Sequence, residues 1–168
     1  MAERPDFSSW SRIGTANWHI AGNSAATGPE DGAGYLVSPQ QYGDVKISVE
    51  VWIEDSTNSG VFVRCIDPEA INPDNCYEIN IWDNHPNQDF RTGSIVKLVT
   101  PEAHVNTVGR WSTIEIEAVG ESVTATVNGV LTARSANGRS SSGYIALQYA
   151  GSGELRFRNL VIEPFAIL

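Results

Sequence analysis

The chain has 168 residues, enough for one domain with a full-sized core and too few for two. Its 11 Lys and Arg against 20 Asp and Glu give a net charge of −9, which argues against nucleic acid or an anionic membrane surface as partner, because both are bound through basic surface. From this length we expect a single domain over residues 1–168. No apolar run approaches the roughly 20 residues that span a bilayer, so we expect no membrane insertion.

Strand patterns dominate the chain from residue 46 onward. Residues 46–54 alternate between polar and apolar side chains, which in a strand sorts them onto two faces. The pattern predicts that Ile47, Val49, Val51 and Ile53 are buried and that Trp52 lies on the polar face. Trp52 could stack on a sugar, and partial burial under a loop is the alternative.

The next two strand segments carry the strongest functional signal. In residues 58–64 and 77–83, the apolar side chains Val61, Val63, Tyr77, Ile79 and Ile81 are expected to face the core. The opposite faces would then carry Phe62 and Arg64 on one strand and Glu78, Asn80 and Trp82 on the other. A carboxylate, an amide and an indole on one sheet face are typical of a sugar-binding surface, since sugars need planar hydrogen-bond partners and a ring to stack on.

Further strands are predicted at residues 114–118, 123–127, 144–150 and 155–162. The second of these runs into Asn128-Gly129, a strong hairpin signal because both residues tolerate positive φ. No segment shows a helical stripe of useful length. Many short strands separated by Gly and Pro predict an all-β, antiparallel two-sheet sandwich or a barrel.

Two cysteines end neighbouring strands. If the strands pair antiparallel, Cys65 and Cys76 come close enough for a disulfide, and two small buried thiols are the alternative. A disulfide would indicate an oxidising compartment. Residues 1–5 contain no signal-peptide pattern, which fits either a cytoplasmic start or a signal already removed.

Several short motifs, in this order, resemble the 3-keto-disaccharide hydrolase family over nearly the whole chain. They are Gly34-Tyr35-Leu36-Val37, Tyr42-Gly43-Asp44, Asn58-Ser59-Gly60-Val61-Phe62-Val63-Arg64, Tyr77-Glu78, Arg91-Thr92-Gly93, Trp111, Asn128-Gly129, Gly143-Tyr144-Ile145-Ala146-Leu147-Gln148 and Phe157-Arg158-Asn159. The resemblance implies a concanavalin A-like jelly roll with its ligand on the outer concave face of one sheet. Many relatives have Gln where this chain has Asn80.

The resemblance also implies that the substrates are glycosides oxidised to a ketone at sugar carbon 3. The ketone acidifies the C2 proton, so that removing it expels the C1 substituent, and water then adds back. Such a site needs a base, a donor for the enolate oxygen, an acid for the leaving group and a surface for the ring. A carbohydrate-binding module without turnover is the alternative function.

Four residues are candidates for the chemistry. Glu78 is the expected base, or else a surface carboxylate paired with a cation. Arg64 is the expected donor to the enolate oxygen, or else a partner that only neutralises Glu78 across the two strands. Asp83 and His85 border the site in a loop, and either is a candidate acid.

Eight further residues are candidates for substrate binding through stacking, amide hydrogen bonds or a distal charge: Trp52, Asn58, Phe62, Asn80, Trp82, Arg91, Lys97 and Gln148. Asn58 has a turn-shaping alternative, and solvated surface is the alternative for Arg91 and Lys97.

No Cys/His spacing typical of a metal site occurs. Asp83, Asn87 and Asp89 fit plain solvation better than calcium. No cofactor is expected, with a divalent cation left open. The predicted location is periplasmic or secreted, partly because members of the family are often exported.

Overall fold

The computed structural model describes residues 1–28 and 32–165, and within these ranges the chain forms twelve strands and two short 3₁₀ helices. The strands are β1 (Ser11–Gly14), β2 (Trp18–Ala21), β3 (Ser24–Thr27), β4 (Gly34–Val37), β5 (Val45–Ile53), β6 (Thr57–Cys65), β7 (Tyr77–Ile81), β8 (Ser112–Val119), β9 (Ser122–Val127), β10 (Val130–Ser135), β11 (Tyr144–Gly151) and β12 (Leu155–Pro164). The 3₁₀ helices are η1 (Phe7–Ser9) and η2 (Gln88–Phe90).

The strands form two antiparallel sheets that pack as a sandwich. One sheet has five strands in the order β1-β4-β11-β6-β7, and the other has seven in the order β10-β9-β8-β5-β12-β3-β2. The all-β jelly-roll prediction is confirmed. The four short strands β1, β2, β3 and β4 were not predicted, because four residues carry too little alternation to stand out.

The core between the sheets has the residues that alternation predicted. Ile47, Val49 and Val51 come from the seven-stranded sheet, and Val61, Val63, Ile79 and Ile81 come from the five-stranded sheet. All seven are fully buried in one apolar cluster. Their shared burial forces the odd-numbered and even-numbered side chains of β6 and β7 onto opposite faces, apart from one irregularity described below.

The hairpin prediction at Asn128-Gly129 is confirmed. The two residues join β9 to β10 with φ values of 50° and 78°, the left-handed conformations that a tight two-residue turn requires. No helix in the described ranges is long and apolar enough to cross a membrane.

Candidate functional site

The outer face of the five-stranded sheet carries the predicted polar residues. In the strand register, Phe62 lies opposite Glu78, while Gly60 lies opposite Asn80 on one side and Gln148 on the other. Tyr35 of β4 lies opposite Gln148, so that Asn80, Gly60, Gln148 and Tyr35 form one row across four strands. These rows bring Glu78, Asn80 and Gln148 onto one face, since side chains in the same or alternate rows point the same way.

A loop covers one end of this face. Cys65 and Cys76 form a disulfide with a Cα–Cα distance of 4.2 Å, and residues 66–75 between them fold back over the sheet. Ile71 of this loop joins a second apolar cluster with Phe62 and the disulfide. Phe62 is therefore only 1% exposed, with its ring edge-on to Tyr35 at 5.5 Å. The structure places this predicted substrate-binding residue on the expected face but beneath the loop.

An open cavity of about 310 Å³ occupies the other end of the face. Six predicted site residues line it together with two that were not predicted: Asn58, Glu78, Asn80, Trp82, His85 and Lys97, with Phe90 and Val96. The residues come from β6, β7 and the long connection between β7 and β8.

Backbone pairing brings that connection to the edge of the sheet. Asn80 N–H donates to Ser94 O at 3.0 Å, and Val96 N–H donates to Glu78 O at 2.9 Å. The segment that follows η2 thus lies along β7 like an additional edge strand. Lys97 follows directly in a left-handed conformation, with φ 67°, and its ammonium pairs with Asp74 at 3.2 Å. The result is one ammonium group, paired with the Asp74 carboxylate, at the rim of the cavity.

Glu78 is a buried carboxyl group with no hydrogen-bond donor among the described residues. It is 8% exposed. Burial raises the pKa of Glu78 to about 7, and the nearby charge of Lys97 acts in the opposite direction. A carboxyl group with a pKa close to neutral can both accept and return a proton, which is the property of a general acid-base residue.

Aromatic rings form one wall of the cavity. The rings of Trp82 and His85 lie 4.3 Å apart between centroids, and His85 contacts Phe90 edge-on at 5.8 Å. The Asn87 backbone N–H donates to His85 Nδ1 at 2.9 Å. The neutral imidazole must therefore carry its proton on Nε2, the nitrogen that remains available to a ligand.

Asn80 lines the cavity, whereas Gly60 and the predicted residue Gln148 lie beside it in the same strand row and are not among the lining residues. Asn80, 4% exposed, donates through Nδ2 to Phe90 O at 2.6 Å. This leaves Asn80 Oδ1 buried with no partner among the described residues, and Gln148 Oε1 is in the same situation. A Cβ built on Gly60 would lie 3.3 Å from both Glu78 Oε2 and Gln148 Oε1. A side chain at position 60 would crowd both oxygens, so glycine lets them lie close to the strand.

Arg64 does not share the face of Glu78, and the expectation that it would is wrong. In the β6–β11 register, the single residue Ile145 stands opposite both Val63 and Arg64, a bulge at which Arg64 has φ 55°. The bulge turns the guanidinium away to the end of the sandwich. It donates there to Asp44 at 3.1 Å, to Ser140 O at 3.1 Å and to Gly120 O.

Asp83 and Arg91 lie behind the cavity wall rather than in the cavity. The carboxylate of Asp83 accepts hydrogen bonds from the Thr92 hydroxyl, from the N–H and hydroxyl of Thr107 and from Val108 N–H. Arg91, also buried, donates to the Val105 carbonyl at 2.9 Å. With four donors satisfied, Asp83 holds the loop together instead of facing a ligand, and this leaves His85 as the candidate acid.

Trp52 belongs to the other sheet. It lies on the outer face of the seven-stranded sheet, where the Arg156 guanidinium covers its ring at 5.2 Å. The structure thus separates Trp52 from the cavity by the full thickness of the sandwich.

Asp83, Asn87 and Asp89 do not form a calcium site within the described residues. Asn87 caps η2 by accepting from Asp89 N–H at 3.0 Å, whereas Asp83 is buried as described above. Within residues 1–28 and 32–165, no three His, Cys, Asp or Glu side chains converge as metal ligands would.

Four contributors to the site were not predicted from the sequence. Phe90 and Val96 reach the cavity through the fold of a long loop, for which periodicity gives no signal. Tyr35 lies in the row of Gln148, and the pKa of its phenol is raised by burial and by the charge of Glu78. Gly60 carried a usable signal, because a glycine inside a strand pattern often marks the close approach of a ligand.

Comparison with known proteins agrees with this architecture. The model of the 3-keto-alpha-glucoside-1,2-lyase-like domain matches residues 4–163. A "putative glycosyl hydrolase" from Parabacteroides distasonis ATCC 8503 superposes with a TM-score of 0.81 at 19% identity, covering 96% of this chain and 91% of the other. The carbohydrate binding module CBM66 from Bacillus subtilis superposes with a TM-score of 0.71 at 17% identity, covering 92% and 95%.

At these identities the two structural likenesses speak for the fold alone. A search among curated proteins found no match. The family model, in contrast, spans nearly the whole chain and includes every residue of the cavity. This chain is therefore a member of the 3-keto-alpha-glucoside-1,2-lyase-like domain family.

Proposed function

We propose that this protein cleaves the glycosidic bond of 3-keto-glycosides, including 3-keto-disaccharides, by elimination followed by hydration. Membership of the family supports the substrate class. The observation that carries the proposal is Glu78, a buried carboxyl group without a protein hydrogen-bond donor, with a pKa near 7, at the floor of an open cavity.

In the first step Glu78 takes the proton from C2 of the bound sugar. The electron pair of that C–H bond forms the C1=C2 double bond through the enolate, the C1–O bond breaks, and the leaving oxygen receives a proton. The product is a 3-keto sugar unsaturated between C1 and C2. Water then adds its hydroxyl to C1, the protonated Glu78 returns its proton to C2, and the remaining proton of the water replaces the one that the acid gave to the leaving oxygen.

The wall of the cavity supplies the other requirements. Lys97 at the rim is a cation that can stabilise the enolate oxygen, the role that the sequence had indicated for Arg64. His85, with its proton on Nε2, is the proposed acid for the leaving group. The indole of Trp82 offers a ring surface for stacking. We do not propose Arg64, Asp83, Arg91, Trp52 or Phe62 as substrate ligands, because their side chains lie outside the cavity.

The test is turnover of 3-keto-trehalose or a 3-keto-glucoside, followed by chromatography of the released sugar. We expect kcat/KM to fall as pH drops below about 7, since the base must be ionised. Glu78→Gln should keep the fold and lose about 10²–10⁴-fold in turnover, because an amide is not a base. Glu117→Gln, an exposed carboxylate on the other sheet, is the matched control and should leave turnover unchanged.

Reaction in D₂O separates this route from direct displacement at C1. Elimination and hydration place deuterium on C2 of the released sugar beyond the exchange seen without enzyme, whereas displacement does not. Turnover of Glu78→Gln within a few-fold of the parent would show that the base is elsewhere.

A carbohydrate-binding module without turnover is the second candidate. The likeness of the fold to CBM66 supports it, and so does the open form of the cavity. A binding module should take up glycans in a titration, release no sugar, and tolerate Glu78→Gln without loss of affinity.

We also propose that the protein works in the periplasm or outside the cell. The disulfide between Cys65 and Cys76 supports this location, because such bonds persist in oxidising compartments. Cell fractionation with thiol labelling tests it. A protein found in the cytoplasm with both thiols free would overturn it.

A further inference from the structure

A second cavity lies on the outer face of the seven-stranded sheet, on the opposite side of the sandwich from Glu78. Two rows of side chains across β12, β3 and β2 form it: Arg156, Ala26 and His19 in one row, and Arg158, Ser24 and Ala21 in the next. The short side chains of β3, beside the long ones of β12, leave an open depression of about 290 Å³. Trp111, which directly precedes β8, also lines it.

The charged groups that line this cavity are both cations. They are the guanidinium groups of Arg156 and Arg158, and no carboxylate of the described residues is among the lining groups. Most of the remaining lining is apolar, with His19 and Ser24 as its other polar side chains. In a chain with a net charge of −9, such a purely basic lining is complementary to a negatively charged ligand group.

Neighbouring side chains hold the guanidinium of Arg158 in place. Its Nε and Nη2 donate to Glu50 Oε1 at 3.2 and 3.0 Å, and Asn159 Nδ2 donates to the other oxygen of Glu50. The guanidinium carbon lies 3.7 Å from the centroid of the Trp111 ring. Nη1 has no acceptor among the described residues, so a ligand can use a donor that is already oriented, at a small cost in side-chain entropy.

Arg156 repeats this arrangement one row along the strand. Its Nε and Nη2 donate to Glu154 Oε1 at 3.1 and 2.6 Å, and its guanidinium lies over the Trp52 ring at 5.2 Å. Its Nη1 likewise has no acceptor among the described residues. Glu50 and Glu154 therefore use one side of each guanidinium group and leave the Nη1 side of both to a ligand.

The proposed reaction at Glu78 gives no role to two of the sequence motifs that meet here, Trp111 and Phe157-Arg158-Asn159. Packing explains why Arg158 covers Trp111, but it does not explain the depression beside them. Strands favour β-branched and aromatic residues, whereas the outward positions of β3 and the end of β2 carry Ser24, Ala26 and Ala21. These small side chains let a ligand lie close to the sheet.

We propose that this cavity binds a small organic acid, with its carboxylate on the Nη1 groups of Arg156 and Arg158 and an apolar ring on the alanine floor. A carboxylate accepts strong, charge-assisted hydrogen bonds from guanidinium groups. The volume is near the lower limit of small-molecule sites, roughly 300 Å³, and so fits a single ring better than a polymer. A neutral sugar fits less well, because several of its hydroxyls would face apolar side chains without a partner.

The experiment is an NMR titration of the parent protein with 4-methylbenzoate, its neutral counterpart 4-methylbenzamide, acetate and methyl glucoside. We expect the benzoate to bind about tenfold more tightly than the benzamide, since hydrogen bonds to a charged group are the stronger ones. It should also bind more tightly than acetate, which has no ring to bury. Signals of the Trp111 indole N–H and of the Ala26 backbone should shift, and those of Trp82 in the other cavity should not.

Arg156→Gln removes one of the two cations and should weaken binding of the benzoate about tenfold, with the benzamide changed less than about threefold. Arg134→Gln is the matched control, because it removes the same charge from an exposed position of β10 in the same sheet. It should change the affinity for either compound less than about twofold, since a distant surface charge is screened.

Ala26→Leu fills the floor of the cavity. Position 26 lies on the outer face, so we expect this variant to keep the unfolding midpoint of the parent and to lose binding of both the benzoate and the benzamide. If it fails to fold, the comparison of Arg156→Gln with Arg134→Gln decides alone.

Four results would overturn the site: no saturable binding of the benzoate by the parent, equal binding of benzoate and benzamide, equal losses in Arg156→Gln and Arg134→Gln, or shifts confined to the surroundings of Trp82. Tighter binding of methyl glucoside than of the benzoate in this cavity would also overturn it, because the site would then be one for sugars. The proposal goes beyond the proposed function, and turnover of a 3-keto-glycoside enters none of these outcomes. Failure of one therefore leaves the other intact.

Discussion

Asp83 and Thr107 are joined by two hydrogen bonds across 24 residues of chain. The Thr107 backbone N–H donates to Asp83 Oδ2 at 2.6 Å, and the Thr107 hydroxyl donates to Oδ1 at 2.8 Å. The Thr92 hydroxyl, which also donates to Asp83, accepts in turn from Trp82 N–H at 2.8 Å. One buried carboxylate thus holds the loop that carries the aromatic wall of the cavity.

Asp83→Asn should destabilise the protein by about 3 kcal/mol, because hydrogen bonds to a buried charge are lost and a new N–H₂ group faces donors. Urea unfolding followed by tryptophan fluorescence measures the change. Asp89→Asn, an exposed carboxylate in the same loop, is the control and should shift stability by less than about 0.5 kcal/mol. An Asp83→Asn variant as stable as the control would show that this network does not hold the loop.

Arg64→Lys should lower stability by about 2 kcal/mol and leave the kcat/KM of the folded protein within about threefold of the parent. A single ammonium cannot replace the two guanidinium nitrogens that reach Asp44, Ser140 O and Gly120 O. The measurements are chemical unfolding and the turnover assay at a temperature where the variant is folded. Arg12→Lys, at an exposed position of β1, is the matched control. A large loss of turnover without loss of stability would return Arg64 to the reaction.

The ionisation of Glu78 should make the protein less stable as pH rises. The pKa of Glu78 is about 7 in the folded state, above its ordinary value of 4.5, so between these values the folded state binds the proton that the unfolded chain has released. The stabilisation of the neutral carboxyl is complete below pH 4.5 and is lost as pH rises toward 7. Glu78→Gln, which stays neutral, should therefore gain on the parent by about 3 kcal/mol between pH 4 and pH 8.

Urea unfolding of the parent and of Glu78→Gln at several pH values measures that gain. Glu117→Gln serves again as the control, because its exposed carboxylate should add no such difference. A constant free-energy difference between Glu78→Gln and the parent across this range would mean that burial does not raise the pKa of Glu78.

Removal of the disulfide should cost about 3 kcal/mol, the loss expected for a closed loop with a sequence separation of 11. The double variant Cys65→Ala, Cys76→Ala should expose Phe62 and Ile71, whose shared cluster includes the disulfide. Calorimetry measures the stability, and intact mass before and after reduction should differ by the two hydrogens of one bridge. A mass that reductant leaves unchanged would refute the bridge.

The alternation of apolar residues predicted the inner faces of β5, β6 and β7 and the outward direction of Glu78, Asn80 and Trp82. It succeeded because a core shared by two sheets allows only one register for each strand. The same rule failed at Arg64, because a bulge inserts one residue there. The bulge depends on pairing with β11 (Tyr144–Gly151), which is distant from Arg64 in the sequence.

By itself, the sequence determined that the chain is all-β, which apolar side chains of β5, β6 and β7 face the core, and that one strand face combines a carboxyl group, an amide and an indole. These properties depend on local periodicity. Only the tertiary structure decided that Trp52 belongs to the opposite sheet, that residues 66–75 cover Phe62, and that Asp83 is buried while Lys97 reaches the rim of the cavity. Those outcomes depend on strand order and on hydrogen bonds between distant loops, for which alternation within a single strand holds no information.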